Sequence, residues 1–126
     1  MMFNQLLAIF IGGGLGSMAR FGVTRGVLTY FKHDMPLGTF LANILAVIVL
    51  GLALGKFEPL FSEKNFWYFF VVVGFTGGFS TFSTFSFETI VLFKTGQLWY
   101  GIANIIFSVG ITITLLWYLI YKSQLL

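Results

Sequence analysis

Four long apolar segments constrain the fold of this chain more than any other feature of its sequence. They run over residues 4–29, 37–55, 66–93 and 98–121. A transmembrane helix needs about 20 predominantly apolar residues, so each segment is long enough to cross a bilayer. Of the 126 residues, 58% are hydrophobic and 9% are charged, a balance that soluble domains do not have. We therefore predict an all-α integral membrane protein whose single domain, residues 1–126, contains four transmembrane helices.

The same composition excludes several classes of function. Cysteine is absent, which excludes disulfides and thiolate nucleophiles. A net charge of +3 without any basic run argues against nucleic acid as a partner. An intramembrane enzyme would need a nucleophile–base pair or metal ligands within the spans, and no histidine or lysine lies near the serines there. We expect a protein that is not an enzyme and that is embedded in the lipid bilayer.

The third segment contains a stretch unlike the rest of it, GFTGGFSTFSTFS at residues 74–86. The adjacent glycines Gly77 and Gly78 each weaken a helix by about 1 kcal/mol relative to alanine. In hydrocarbon, the backbone groups that a broken helix frees must be satisfied by protein, water or an ion. We therefore predict that the third helix is broken at these glycines in the middle of the membrane and that a small-ion site lies there. Beyond the break, near-threefold spacing places Phe82 and Phe85 on one face, among the hydroxyls of residues 80–86.

Polar residues in the second and fourth segments leave alternatives open. Thr39 and Asn43 are one turn apart and share a face of the second segment. An unpaired amide at this depth costs several kcal/mol, so Asn43 either forms a helix–helix hydrogen bond or offers its N–H donor to an anion. In the fourth segment, Asn104, Ser108 and Thr112 are spaced four residues apart and form one polar stripe.

Two charged residues near the ends of the apolar segments also have two interpretations each. Arg20 either extends its side chain to the headgroups at the interface or turns its guanidinium toward the outer vestibule of the ion site. Glu88, the only acid within a segment, lies either at the membrane surface or at an ion entrance. In the first segment, Gly12 and Gly16 form a G-x-x-x-G pair that allows another helix to approach closely.

Positive charges are balanced between the two sides of the membrane. One side carries Lys56, Lys64 and Lys122, and the other carries Arg25, Lys32 and Lys94, with Arg20 near it. A bias of lysine and arginine normally fixes the orientation of a membrane protein, and here it is nearly absent. We therefore predict an antiparallel, dual-topology homodimer of two oppositely inserted copies. In such a dimer, the carbonyls of Gly77 and Ser80 can meet their symmetry mates around a cation.

Three motifs resemble those of the Fluc (CrcB) fluoride channels: GGGLGSMARF at residues 12–21, GTFLAN at 38–43 and GFTGGFSTFSTFS at 74–86. The similarity extends over the whole chain in length, number of spans and order of motifs, and the third motif is the most specific. The resemblance implies a passive channel that exports fluoride from the cytoplasm across the cell membrane and lowers its toxicity. It also implies a dual-topology homodimer with two pores and a central structural sodium ion.

The resemblance further implies roles for individual residues. Phe82 and Phe85 are expected to be the pore phenylalanines, and Asn43 the pore amide. Gly77 and Ser80 are expected to give backbone carbonyls to sodium. Further pore residues are expected to be Ser83, Thr84, Asn104, Ser108 and Thr112, and vestibule residues Arg20, Thr39 and Glu88. Asn104 departs from the family, which often has tyrosine there, although an amide can still donate hydrogen bonds.

These residue types suit a small, strongly hydrated anion. A buried lysine or arginine would hold fluoride too tightly for rapid exit, whereas phenyl edges, hydroxyls and an amide attract it weakly at several positions. The alternative for the phenylalanines is ordinary packing, since the chain has 17 of them. The alternative function is a small dual-topology multidrug exporter, which would need a carboxylate deep within a span for proton exchange.

Overall fold

The computed structural model describes residues 1–57 and 65–124, which form helices joined by short connections. Helix α1 is Met2–Tyr30, and α2 is Leu37–Gly55. The third span, Tyr68–Lys94, consists of a π-helical segment Tyr68–Phe75, a short helix α3 at Thr76–Phe79 and helix α4 at Phe82–Lys94. Helix α5 is Leu98–Gln124. Within these described ranges, four helical stretches are long and apolar enough to cross a membrane, which confirms the predicted spans. The second loop, including Lys64, lies outside the described residues.

The hydrogen-bonded helix of the third span continues past the two glycines at which the sequence predicts a break. Gly77 and Gly78 both lie within α3, so the predicted break at these glycines is wrong in its location. The residues with extended backbone are Ser80, with ψ 155°, and Thr81, with φ −150°. The glycines stay helical because backbone freedom alone does not end a helix. The axis of the whole span bends by 14°, so its two parts remain nearly collinear.

Helix α1 packs closely along the first part of the third span. A Cβ on Gly12 would overlap the carbonyl of Phe70, and a Cβ on Gly16 would overlap the carbonyl of Phe75. The close helix approach predicted from the G-x-x-x-G pair is therefore confirmed, and the partner is a span of the same chain. This packing holds the π-helical segment and α3 in place immediately before the extended residues.

Helix α2 packs against α5, α1 and the third span. The small core consists of Ala42, Ala46 and Phe79. The two alanines are fully buried, at 0% and 1% exposure, so α2 lies close to the end of α3. Asn43 follows Ala42 directly in the sequence, and this packing brings its side chain to the extended residues of the third span.

Candidate functional site

The side-chain amide of Asn43 pairs with both backbone groups of Thr81. The N–H of Thr81 donates to Asn43 Oδ1 at 2.7 Å, and Asn43 Nδ2 donates to the carbonyl of Thr81 at 3.4 Å. Of the two sequence interpretations of Asn43, the helix–helix hydrogen bond is thus present. An amide nitrogen carries two hydrogens, so this contact leaves one N–H for another acceptor.

Thr81 is the N-cap residue that immediately precedes α4, and no role of its own was predicted for it from the sequence. Its Oγ1 accepts from the N–H of Thr84 at 3.2 Å, which is the standard hydrogen bond of a helix N-cap. The same hydroxyl donates to Thr84 Oγ1 at 3.1 Å and lies 3.3 Å from Ser83 Oγ. Ser83 and Thr84 are therefore connected to the extended residues through Thr81. The preference of threonine for N-caps is the sequence signal that would have identified this position.

A groove of about 210 Å³ lies beside the extended residues. Five of the predicted pore residues line it together: Asn43, Phe82, Phe85, Ser108 and Thr112. Ser80, Thr81 and two valines complete the described lining, and none of these residues carries a formal charge. The groove thus combines an amide, hydroxyls and phenyl rings in neutral surroundings.

The two phenylalanines of the groove are in different environments. Their ring centroids lie 5.7 Å apart with an interplanar angle of 43°. Phe85 is 9% exposed, whereas Phe82 is 78% exposed on the outside of the single chain. Phe85 is part of the packed interior, and Phe82 needs a neighbour from outside this chain to be covered.

The predicted polar stripe of α5 is hydrogen bonded in series. Asn104 Nδ2 donates to Thr89 Oγ1 at 2.9 Å, and Ser108 Oγ donates to Asn104 Oδ1 at 3.3 Å. Thr112 donates to the backbone carbonyl of Ser108. Asn104 is 1% exposed and lies behind the groove rather than in its described lining. Sequence reasoning missed Thr89, because its only local signal is a single hydroxyl on a helix.

A second cavity, of about 250 Å³, lies under the loop between α1 and α2. Thr39 and Glu88 line it together, and the hydroxyl of Thr39 donates to Glu88 Oε1 at 2.8 Å. Glu88 Oε2 is buried and has no hydrogen-bond partner among the described residues. His33 and Asp34 of the loop line the same cavity, so Glu88 lies near one end of its span.

The structure does not bring Arg20 into this second cavity. On α1 the described lining begins with Thr24, one turn beyond Arg20. The arginine side chain is half-buried.

Gly77 and Ser80 lie on either side of the end of α3. Gly77 is exposed, and a Cβ added to it would meet nothing within 4 Å. The N–H groups that would pair with these two carbonyls in a continuous helix belong to Thr81 and Thr84, and both are engaged by side chains. Among the described residues no three His, Asp or Glu side chains gather into a metal-binding group.

Comparison with known proteins identifies relatives over most of the chain. The family model described as CrcB-like protein, Camphor Resistance (CrcB), matches residues 7–119. The fluoride-specific ion channel FluC of Pyrococcus abyssi is 42% identical over 115 residues, covering 91% of this chain and 92% of the relative. FluC of Pyrococcus horikoshii is 43% identical over 107 residues, covering 85% of each. Fluoride-specific ion channel FluC 1 of Yersinia pseudotuberculosis is 39% identical over 109 residues, covering 86% of this chain and 85% of the relative.

Proposed function

This chain belongs to the CrcB-like family, and we propose that it is a passive, fluoride-selective ion channel of the cell membrane. The relatives are named as fluoride-specific channels, and a channel is a transport protein rather than an enzyme. The groove beside the extended residues carries the proposal for this chain. There, an amide, hydroxyls and phenyl rings converge without a formal charge.

A neutral groove suits rapid passage of a small anion. Fluoride must exchange its hydration shell for protein groups, and conduction requires that each contact be weak enough to release the ion. The remaining N–H of Asn43 and the positive edges of Phe82 and Phe85 are contacts of this kind. The hydroxyls of Ser108 and Thr112 each have one hydrogen, which would have to turn from its present acceptor to meet the ion. Asn104, whose oxygen and nitrogen both bond other side chains, would orient the hydroxyls instead of contacting the ion.

The exposed surface of the third span beside the groove also supports an antiparallel dimer. Phe82, Ser83 and Gly77 are exposed on the single chain, although they belong to a membrane span. Lipid cannot satisfy hydroxyl and carbonyl groups, so such a surface requires protein or an ion against it. A second, oppositely inserted copy would cover it and close each groove into a pore. Balanced charges at the two sides permit this arrangement, because neither orientation is favoured.

The residues at the end of α3 fit a sodium ion at the centre of that dimer. Carbonyl oxygens are ligands that hard cations prefer, and the helical donors of the Gly77 and Ser80 carbonyls are engaged elsewhere. The open side of Gly77 leaves room for a partner to approach. Two carbonyls from each copy would hold the ion, whose positive charge would help to join the copies.

Export through such a pore requires no energy source in a cell with a negative interior. A monovalent anion gains about 2.3 kcal/mol per 100 mV on leaving. A tenfold difference in concentration is equivalent to about 1.4 kcal/mol. The membrane potential alone can therefore keep internal fluoride well below the external concentration and lower its toxicity.

A dual-topology multidrug exporter is the rival function, and the relatives do not favour it. Such an exporter needs a carboxylate deep within a span to exchange protons for a cationic substrate. Glu88 is the only acid in the four apolar segments. It shares its cavity with loop residues and is hydrogen bonded to Thr39, which supports a role near the end of the span rather than at its centre.

Efflux from liposomes tests the proposed function directly. Vesicles that contain the purified protein and are loaded with fluoride or chloride are made permeable to potassium with an ionophore, and the released anion is measured with an ion-selective electrode. We expect fluoride release and chloride retention, with protein-free vesicles as the control. Comparable release of chloride would contradict fluoride selectivity. Proton-coupled efflux of an organic cation that is lost in Glu88→Gln would support the exporter.

A further inference from the structure

We propose that Asn43, besides lining the groove, is the positioning residue that leaves the Gly77 carbonyl available to a cation. The inference rests on the proposed function, because the cation is the sodium ion at the dimer centre. It adds a link between the two ions, since one side chain would serve both the anion path and the cation site.

The hydrogen bonds at the end of α3 locate the residue at which the helix stops. In an α-helix, the N–H of each residue donates to the carbonyl four residues earlier. Ser80 follows this pattern, and its N–H donates to the carbonyl of Thr76 at 2.9 Å. The next N–H, that of Thr81, would reach Gly77 but donates to Asn43 Oδ1 at 2.7 Å instead. The helix therefore ends at the residue that Asn43 engages.

The oxygen of the Asn43 side chain makes the stronger of its two contacts with Thr81. The contact through Oδ1 is 2.7 Å long, whereas the contact from Nδ2 is 3.4 Å long. Thr81 has extended backbone, with φ −150° and ψ 116°, so its N–H points sideways to α2 and not back along the helix. The acceptor oxygen is thus the atom that keeps Thr81 out of the helix.

Because Thr81 is buried, its N–H depends on an acceptor within the protein. Thr81 is 7% exposed, so water does not compete for its N–H. A backbone N–H without a partner inside a bilayer is costly. Without the Asn43 oxygen, the N–H of Thr81 would turn toward the acceptor that helical geometry provides, the carbonyl of Gly77. That carbonyl would then be occupied by a helical hydrogen bond and would bind a cation less well.

Two atoms of one amide would therefore have separate tasks. The oxygen keeps the Gly77 carbonyl free, and the nitrogen, with one hydrogen to spare, offers a donor at the groove that Asn43 lines. Removing the oxygen should weaken cation binding, and removing only the donor should weaken anion flux.

Substitutions that remove these atoms separately test the inference. Asn43→Asp keeps an acceptor for Thr81 and removes the donor. Asn43→Leu removes both the acceptor and the donor, and leucine is similar to asparagine in shape. Thr114→Val, at an exposed position of α5, is a matched control for the loss of a polar group in a span. The full-length protein is titrated with sodium chloride against choline chloride at constant ionic strength. Thermal dissociation of the dimer is followed, and fluoride flux is measured in parallel.

We expect sodium to stabilise the native protein, Thr114→Val and Asn43→Asp at half-maximal concentrations within about threefold of one another. Asn43→Leu should need at least about tenfold more sodium. Asn43→Asp should nevertheless lose fluoride flux, because its charge repels the anion. A role in packing alone predicts the opposite order, since leucine is tolerated better than aspartate within a membrane.

Two results would overturn the inference and leave the channel function intact: a lost sodium response in Asn43→Asp, or a native response in Asn43→Leu. If Asn43→Leu yields no dimer, the Asn43→Asp variant decides alone. A native protein that conducts fluoride but shows no sodium response would overturn the sodium site together with the inference. A native protein that responds to sodium but passes no fluoride would contradict the channel and not the role of Asn43.

Discussion

The amide of Asn104 donates to the hydroxyl of Thr89 at 2.9 Å, and this contact joins α5 to α4 inside the molecule. Thr89 donates in turn to the carbonyl of Phe85 at 2.7 Å. Asn104 and Thr89 are 1% and 5% exposed, so water does not compete for either bond. The backbone of a groove phenylalanine is thereby linked to α5, which also lines the groove.

Substitution of this pair should reduce stability more than conduction. We expect Asn104→Leu to cost about 1 kcal/mol of stability and to keep fluoride flux within about tenfold of native, because the amide does not line the groove. The double variant Asn104→Leu/Thr89→Val should lose less stability than the sum of the two single variants, since both changes remove the same contact. Thermal unfolding in detergent and liposome efflux measure the two effects. A flux loss far beyond tenfold in a stable Asn104→Leu protein would place this side chain in the ion path.

Phe82→Ile should suppress fluoride flux. The substitution keeps an apolar side chain but removes the positive ring edge, whose contacts with other rings are worth about 0.5–1.5 kcal/mol. A contact of this size with the ion corresponds to roughly a two- to tenfold change in rate. Phe10→Ile is the matched control, because Phe10 is 79% exposed on α1 and belongs to no predicted site. Equal flux in both variants would indicate that Phe82 only packs against its neighbours.

Gly16→Ala should destabilise the protein by about 1–3 kcal/mol. The added Cβ would overlap the carbonyl of Phe75 and separate α1 from the third span. Gly14→Ala is the control on the same helix, where a Cβ meets nothing within 4 Å and alanine is the better helix former by about 1 kcal/mol. Thermal unfolding in detergent should therefore shift down for the first variant and stay level or rise for the second. Equal shifts would contradict the close approach of these helices.

Thr39→Val should lower fluoride flux several-fold, whereas Thr39→Ser should keep it. Thr39 supplies the hydrogen bond to Glu88 Oε1, and the other carboxylate oxygen has no partner among the described residues. Valine would leave both carboxylate oxygens without a hydrogen-bond donor, so the side chain would turn from α2 into the cavity and narrow the path of an entering anion. Efflux assays on both variants measure the difference. Native flux in Thr39→Val would show that this cavity is not on the ion path.

Cysteine labelling should find both orientations of the chain in one membrane. The native sequence has no cysteine, so Asp34→Cys gives a unique label in an exposed loop and leaves the lysine and arginine balance unchanged. We expect an impermeant reagent to modify about half of the copies in intact cells and all of them after permeabilisation. Modification of all copies, or of none, in intact cells would contradict the proposed antiparallel dimer.

Local composition was enough to predict much of this architecture. Mean hydropathy depends only on about 20 consecutive residues, so the four spans were predictable without knowledge of how the helices pack. The spacing of Gly12 and Gly16 predicted a close helix approach, and the spacing of Asn104, Ser108 and Thr112 predicted one polar face. These predictions hold because helical geometry converts sequence spacing directly into a shared face.

The tertiary structure alone decided where the third span is interrupted and how its polar groups are satisfied. Gly77 and Gly78 favour a break but cannot end the helix by themselves, since their backbone groups still need partners within the membrane. The partner comes from Asn43, which is 38 residues away in the chain from Thr81. The contact of Asn104 with Thr89 likewise depends on how α5 lies against α4. Sequence determined which segments enter the membrane, and packing between distant helices determined which polar groups meet there.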